Sequence, residues 1–381
     1  MRVFVSKSVL VLSSLVTLVV CMGKQGEAWS PPAMFAAKVA DGPVSSSSIT
    51  KKKVAVAGAT GRTGMLVVEE LLNRGVEVVA LVRDLEKADE VLRKDNDGLL
   101  TVVKCDLLSK KSVKEAVKDC EAGIWCATGF SSGNTSMVER VKSLFGLAIK
   151  RTIDTVGLTL MAESLAVVED GLPTIVMCSS AGVTRPSWSE EKKEALAGCA
   201  DIPIVRLNPF GILDLKSSSE QLLRDTKVPY CIVRPCGLKN EESEWRSNSR
   251  PVVSQGDVAV GRINRKDVAS LLIDVCLNQP DATGKTFEVF SVQNYPKPIS
   301  LSSILQPLVP DNADGTPYIP DFSVLQATYQ TLQQLLPGET QDASALAMGQ
   351  TYEQLDRNEE GRLGKRGQEN LQQSGVYQPS S

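Results

Sequence analysis

The sequence predicts an α/β fold: a doubly wound parallel sheet with helices on both faces and an extended C-terminal tail. Three observations predict it. Short strand-like runs that are apolar throughout recur between residues 53 and 292, stretches with apolar residues at helical spacing separate most of them, and glycines follow the first run directly. A strand apolar on both sides needs cover on both faces, which a parallel sheet with crossover helices provides. Right-handed crossovers then wind the sheet in both directions.

The elements follow in order. Val54-Ala55-Val56-Ala57 is the first strand, and Met65, Val68, Leu71 and Leu72 recur at helical spacing until Gly75 ends that helix. Val76 to Val82 is the second strand. Leu99 to Val103, Gly123 to Ala127, Thr174 to Cys178, Cys231 to Val233 and Phe287 to Phe290 continue the series. No internal repeat is present. Four segments are expected: 1–28, 29–50, a domain over 51–295, and an extension over 296–381. Residues 296–320 of that extension carry six prolines. Phe322, Leu325, Tyr329, Leu332 and Leu336 then recur three and four apart before Pro337-Gly338, which predicts one amphipathic helix. That helix either packs on its own core or, with the tail, docks a protein partner. From Glu339 the tail is rich in Gln, Glu, Arg and Gly, a composition that predicts disorder.

Composition narrows the chemistry. The chain of 381 residues has 42 Lys plus Arg against 45 Asp plus Glu, a formal net charge of -3, which argues against a nucleic-acid partner held through phosphates. It contains no histidine, so Ser-His-Asp and Cys-His catalytic units and His-containing metal sites are excluded. No metal site is expected.

Gly58-Ala59-Thr60-Gly61-Arg62-Thr63-Gly64 joins the first strand to the first helix. Glycines at that junction permit a tight turn and let the backbone approach a pyrophosphate, whose charge rests on the N–H groups at the helix N-terminus. This is the dinucleotide arrangement of a Rossmann fold, and Gly58, Thr60, Gly61, Arg62, Thr63 and Gly64 are the expected cofactor contacts. The second strand ends at Val82, and the next residue is Arg83 rather than the acid that would bind an NAD ribose. A guanidinium suits a 2′-phosphate, with Arg62 as a second charge, so the expected cofactor is NADP(H). Arg83 could instead pair with Asp84 or Glu86. Asp106 and Leu107, after the third strand, are placed to contact the adenine. Ala127, Thr128 and Gly129, after the fourth, are placed under the adenine-side ribose and phosphates.

These residues, with Cys178-Ser179-Ser180-Ala181-Gly182-Val183, Val233-Arg234-Pro235 and Ile263-Asn264-Arg265-Lys266-Asp267-Val268-Ala269, make the chain resemble the atypical short-chain dehydrogenases/reductases. The likeness covers roughly residues 53–292 and is to the NmrA-like, NAD(P)-binding branch, which has plastid members. The resemblance implies a catalytic or substrate-polarising serine at Ser179 or Ser180. It also implies a Tyr four residues before a Lys that lowers the phenol pKa and holds the nicotinamide ribose. The matching helix reads Ile212-Leu213-Asp214-Leu215-Lys216, so Lys216 is kept and the Tyr position is Ile212; none of the six tyrosines has a Lys four residues on. Asp214 is an alternative proton carrier if it faces the cleft, and Arg234 and Asn264 read as structural. Two functions follow: an NADPH-dependent reductase of a small molecule, or a non-catalytic NADP(H)-binding assembly or tethering factor.

The N-terminus reads as a leader. Arg2 and Lys7 flank the start of an apolar run from Val9 to Met22, shorter than the roughly 20 residues of a membrane span and typical of a signal peptide. Residues 29–50 are rich in Ser and poor in acids, as transit peptides are. Together they resemble the bipartite leader of proteins imported into the stroma of complex plastids; the other reading is the secretory pathway. No transmembrane span is expected in the mature chain. Of nine cysteines, eight lie beyond the leader without a CxxC pair, a scatter that reads as core thiols in a reducing compartment.

Overall fold

The structure is a computed structural model and describes residues 53–92, 98–129, 152–200, 202–208, 211–240, 249–293, 298 and 300–335. Segments 1–28 and 29–50, and the tail beyond residue 335, lie outside the described residues.

The strands of its central sheet are β1 (Lys53–Ala57), β2 (Glu77–Val82), β3 (Leu100–Lys104), β4 (Ala122–Trp125), β5 (Ile175–Cys178), β6 (Tyr230–Pro235), β8 (Ser249–Ser254) and β10 (Lys285–Gln293). These eight lie side by side in the order β3-β2-β1-β4-β5-β6-β10-β8. Every neighbouring pair is parallel except β10 with β8. The order reverses between β1 and β4, the switch point at which such sheets bind nucleotides. Two short strands, β7 (Gly237–Lys239) and β9 (Arg262–Asn264), form a separate parallel pair. The antiparallel edge strand β8 and the β7-β9 pair were not legible in the sequence. Ser249-Arg250-Pro251-Val252-Val253-Ser254 has neither an apolar run nor a clean alternation, and β8 is held by its register against β10.

Alternation along each central strand feeds two cores. Val54 and Val56 point into one with Ile124 and Val176, while Ala55 and Ala57 point into the other with Trp125 and Met177. The first core is covered by α1 (Arg62–Asn73) and α6 (Arg265–Asn278), the second by α3 (Lys110–Val117), α4 (Leu158–Ser164) and α5 (Ile212–Asp225). Helix α2 (Leu85–Val91) follows β2. Each fully buried Val or Leu in these layers contributes about 1.5–3 kcal/mol.

Helix α1 ends as its glycine predicts. Gly75 sits at φ +72, its N–H donates to the Leu72 carbonyl at 3.0 Å, and the Val76 N–H donates to the Leu71 carbonyl at 3.0 Å. This paired closure uses the left-handed freedom of glycine to satisfy carbonyls left open at the helix end. The chain then enters β2. Helix α1 is pinned to α6 by Arg74, which bonds Glu70 and Asp274 at 2.5 Å each, and by Ser270, whose hydroxyl donates to Glu70 at 2.6 Å.

Residues 300–335 pack on this domain. Leu305 and Leu308 join the first core. Helix α7 (Phe322–Leu335) buries Leu325 and Leu332 against Trp188, Leu196, Val258 and Phe290. Leu325, Tyr329 and Leu332 of the amphipathic spacing read from sequence are therefore the seam by which α7 lies on its own core, whereas Phe322 is exposed and Leu336 lies outside the described residues. Tyr329 fixes the seam by accepting the Gly198 N–H at 2.9 Å.

Candidate nucleotide site

The carboxyl ends of β1, β2, β4 and β5 lie side by side in parallel register, and the loops leaving them build the site. Gly58 leaves β1 at φ +77, and a Cβ there would stand 2.6 Å from the Ala127 nitrogen and 2.7 Å from the Cys126 carbonyl carbon. A Cβ on Gly64 would stand 2.1 Å from the Gly58 carbonyl oxygen. The turn is closed by the Gly61 N–H donating to that same oxygen at 2.8 Å. Only glycine at 58 and 64 allows strand end, turn and helix to come this close.

Gly61 is the N-cap of α1 and supplies no side-chain cap, and no acid lies in the first turn. The positive end of the helix is thus left for an external anion, which fits a dinucleotide pyrophosphate. Thr60 and Thr63 are half-buried beside it, and Gly61 and Arg62 are exposed.

Arg83, directly after β2, is exposed and makes no ion pair among the described residues. It is not held by Asp84, because Asp84 is the N-cap of α2 and accepts the Lys87 N–H at 3.1 Å. Glu86 lies in the first turn of α2, where the helix dipole favours it. Arg83 is left available to bind a phosphate.

Asp106 turns the chain after β3: its carboxylate accepts the Leu108 N–H at 3.0 Å, and its own N–H donates to Ser112 at 3.0 Å. Leu107 is half-buried beside the second core. After β4, Ala127 is buried while Thr128 and Gly129 are exposed. The Gly129 N–H donates to Asp154 at 2.6 Å, and Asp154 is only 2% exposed. Asp154 thus anchors the loop after β4 from a π-helical turn, Ile153–Gly157, that leads into α4. Sequence reasoning missed it; the signal was an acid inside the otherwise uncharged run Ile153 to Ala162.

Lys216 lies half-buried in the second turn of α5, has no ion pair among the described residues, and is close enough to Cys126 and Cys178 to bias both thiols toward ionisation. It therefore reaches the ends of β4 and β5, where the nicotinamide half of a dinucleotide would lie. Asp214 is engaged elsewhere. It accepts from the Asn208 amide at 2.6 Å, while Asn208 caps α5 by accepting the Leu213 N–H at 2.9 Å.

The two serines differ. The buried Ser179 hydroxyl donates to Glu220 at 2.6 Å. Arg234 grips Glu220 on both oxygens, at 2.9 and 2.6 Å, and Arg224 adds a contact at 3.2 Å. Burial alone would raise the Glu220 carboxyl, but Arg234 and then Arg224 and Ser179 hold it below its ordinary value. Ser179 is thus a member of a buried charge network. Ser180 is half-buried and, among the described residues, donates to the Ala181 carbonyl at 3.0 Å. The loop after Ser180 is tied down by Asp257, which accepts from the Gly182 N–H at 2.6 Å and from the Thr184 N–H and hydroxyl at 2.8 Å each.

Among the described residues no tyrosine approaches Lys216 with a hydrogen bond. Tyr230 donates to Asp311 at 2.9 Å and Tyr329 serves α7. No group of acids and cysteines among the described residues could hold a metal ion.

Residues 58–280 match the family model described as NAD(P)H-binding, more than half of the chain. The chain belongs to that NAD(P)H-binding family. Membership bears out the resemblance to atypical short-chain dehydrogenases/reductases of the NmrA-like branch. Among related proteins, an uncharacterised chloroplastic protein of Arabidopsis thaliana is 29% identical over 253 residues, covering 66% of this chain and 81% of its own length. The chloroplastic protein TIC 62 of Arabidopsis thaliana is 25% identical over 316 residues, 76% of this chain and 44% of that protein. TIC 62 of Oryza sativa is 28% identical over 280 residues, 68% of this chain and 50% of that one. The chain therefore spans half or less of the TIC 62 proteins it matches. Among solved structures, a short-chain dehydrogenase/reductase of Veillonella parvula in complex with NADP aligns with a TM-score of 0.44 and 14% identity, over 65% of this chain and 99% of that one.

Proposed function

We propose that the protein is an NADP(H)-dependent reductase of a small molecule and works in a plastid. The observation that carries the cofactor choice is Arg83, exposed at the tip of β2 while its neighbour Asp84 is occupied in capping α2. Arg62 in the glycine loop would add a second positive charge to the same phosphate. The bound nicotinamide supplies the hydride. Lys216 would hold the nicotinamide ribose, Asp154 keeps the loop after β4 in place, and Ser180 would orient a substrate carbonyl by turning its hydroxyl away from the Ala181 carbonyl. With no tyrosine at position 212, the proton comes from the substrate or from water. The chloroplastic relatives support the plastid setting.

A second reading, an NADP(H)-binding assembly or tethering factor, is favoured by one specific contact. The Ser179 hydroxyl is spent on Glu220, which leaves the family's polarising serine position without a free donor. On that reading a partner would meet the outer side of the C-terminal segment, where Ile319 is 60% and Phe322 47% exposed, or the tail beyond it.

Titration with NADPH and with NADH, followed through quenching of Trp125 on β4, separates the outcomes. The reading expects NADPH to bind well ahead of NADH, and Arg83→Ala to erase most of that preference by removing a charge-assisted contact of about 1.5–3 kcal/mol. Equal affinity for the two nucleotides would overturn the cofactor choice. A bound NADPH that no electron acceptor oxidises would favour the tethering factor.

A further inference from the structure

Strands β4 and β5 run parallel with Ile124 opposite Val176 and Trp125 opposite Met177. The next residue on each strand is a cysteine: Cys178 ends β5 and Cys126 directly follows β4, so the continued register sets the two opposite each other. Neighbouring strands lie about 4.8 Å apart, inside the range of Cα separations that a disulfide spans. Alternation sends both side chains to one face: both pack against the core that holds Ile124 and Val176, while Trp125 and Met177 point to the other side. Each thiol is the leading influence on the ionisation of the other.

Three further facts distinguish this pair. None of the eight described cysteines is in a disulfide, and six of them are buried; Cys126 and Cys178 alone are partly exposed. The neighbouring Cys126 thiol leads the influences that hold the Cys178 thiol below its ordinary value; burial opposes it, and Lys216 and Arg265 reinforce it. Cys126 is held above its ordinary value by its Cys178 neighbour and by burial. One thiol is thus poised to attack and the other to resolve. Elsewhere burial pushes Cys120 and Cys199 up to about 11, which makes them poor nucleophiles. Finally, the Cys126 backbone touches the glycine turn: its N–H donates to the Ala57 carbonyl at 2.9 Å, and its carbonyl carbon limits the space at Gly58.

We infer that Cys126 and Cys178 are a redox modification site, a dithiol that closes reversibly to a disulfide at the rim of the nucleotide cleft. The oxidant is a small-molecule disulfide. The Cys178 thiolate attacks one of its sulfurs, forming a mixed disulfide and releasing one thiolate. Cys126 then gives up its proton and attacks the Cys178 sulfur, expelling the second small thiolate. Two protein thiols and one small disulfide become one protein disulfide and two small thiols, with two electrons and two protons passed to the oxidant. Closing the bond draws the sulfurs together to about 2 Å. It shifts the end of β4 against Gly58, so the oxidised protein binds nucleotide more weakly.

The test uses the full chain exposed to oxidised glutathione, trapped by alkylation and mapped by peptide mass. The expected product is a peptide pair linked through residues 126 and 178 and lighter by two hydrogens, reversed by a dithiol. Cys126→Ser and Cys178→Ser should each abolish it and Cys120→Ala should not. The wild-type mapping stands even if a variant folds poorly. Oxidation that leaves both cysteines alkylatable, or that stops at a glutathione adduct on Cys178, overturns the site. NADPH and NADH titrations of the oxidised and reduced protein then read the consequence. A loss of affinity of about 5-fold or more on oxidation is expected, and unchanged affinity overturns the control of binding. Reduced protein that binds neither nucleotide would overturn that control and the proposed function together, while the mass map would still decide the disulfide.

Discussion

Arg234 and Glu220 meet in a buried two-pronged pair, Nε to Oε1 at 2.9 Å and Nη2 to Oε2 at 2.6 Å. The pair joins β6 to α5 under the end of β5, because Glu220 also receives the Ser179 hydroxyl at 2.6 Å. The helix that carries Lys216 is thereby locked to the sheet one turn beyond that lysine. Removing one partner of such a pair strands the other charge without water, at a cost of about 3–5 kcal/mol. Arg234→Met should lower the unfolding free energy in urea by that amount. A loss below about 1 kcal/mol would mean that Arg224 alone satisfies Glu220.

Glu288 should make stability depend on pH. It is 0% exposed on β10, and burial first, then Asp257, push its carboxyl up to about 8 against the opposing pull of Arg234 and Arg185. The unfolded chain releases this proton near the ordinary value of 4.5. The folded protein therefore holds a proton that the unfolded chain lacks between those two values. Its stabilisation is complete below the lower value and is lost as pH rises through the upper one, by at most about 1.4 kcal/mol per pH unit. Glu288→Gln keeps the neutral shape, so its unfolding free energy should fall less than that of the parent between about pH 5.5 and pH 7.5. Identical pH profiles would show that Glu288 is ionised in the folded protein.

Gly64→Ala and Gly75→Ala separate a cradle from a cap. The added Cβ at position 64 would stand 2.1 Å from a backbone oxygen of the glycine turn, whereas at position 75 nothing lies within 4 Å. Gly64→Ala should therefore cost about 1–3 kcal/mol of stability and abolish NAD(P)H binding. Gly75→Ala should cost about 1–2 kcal/mol, through its left-handed backbone alone, and leave binding intact. Denaturation and nucleotide titration of both variants check this. Intact binding in Gly64→Ala would place the nucleotide elsewhere.

Asp311 ties the C-terminal segment to the domain. One of its oxygens accepts from Arg224 Nε at 2.9 Å, from the Tyr230 hydroxyl at 2.9 Å and from the Thr286 hydroxyl at 2.6 Å. Asp311→Ala should destabilise the whole domain by about 3 kcal/mol in a single cooperative transition. A separate, earlier transition would mean that residues 300–335 come away from the sheet by themselves.

Much of this molecule could be read in its residues. The parallel sheet, the glycine turn, Arg83 at the second strand tip and the amphipathic spacing of Phe322 to Leu336 are local patterns, each written in neighbouring positions. What escaped was non-local. β8 reads as nothing alone, because its partner β10 supplies its register from 34 or more residues away. Asp154 stands 25 residues from the Gly129 N–H it holds, and Ser179 stands 41 residues from Glu220.

By itself the sequence determined the fold class, the position of the glycine turn and the absence of histidine chemistry, since strand alternation, helical spacing and glycine stereochemistry act over a few residues at a time. Only the tertiary structure decided which polar groups are spent and which are left. It committed Ser179 to Glu220 and Asp214 to Asn208, left Arg83 and Lys216 without ion pairs among the described residues, and set two cysteines 52 residues apart side by side. Such assignments depend on distances between elements, which arise only when the layers close and each buried donor must find its acceptor.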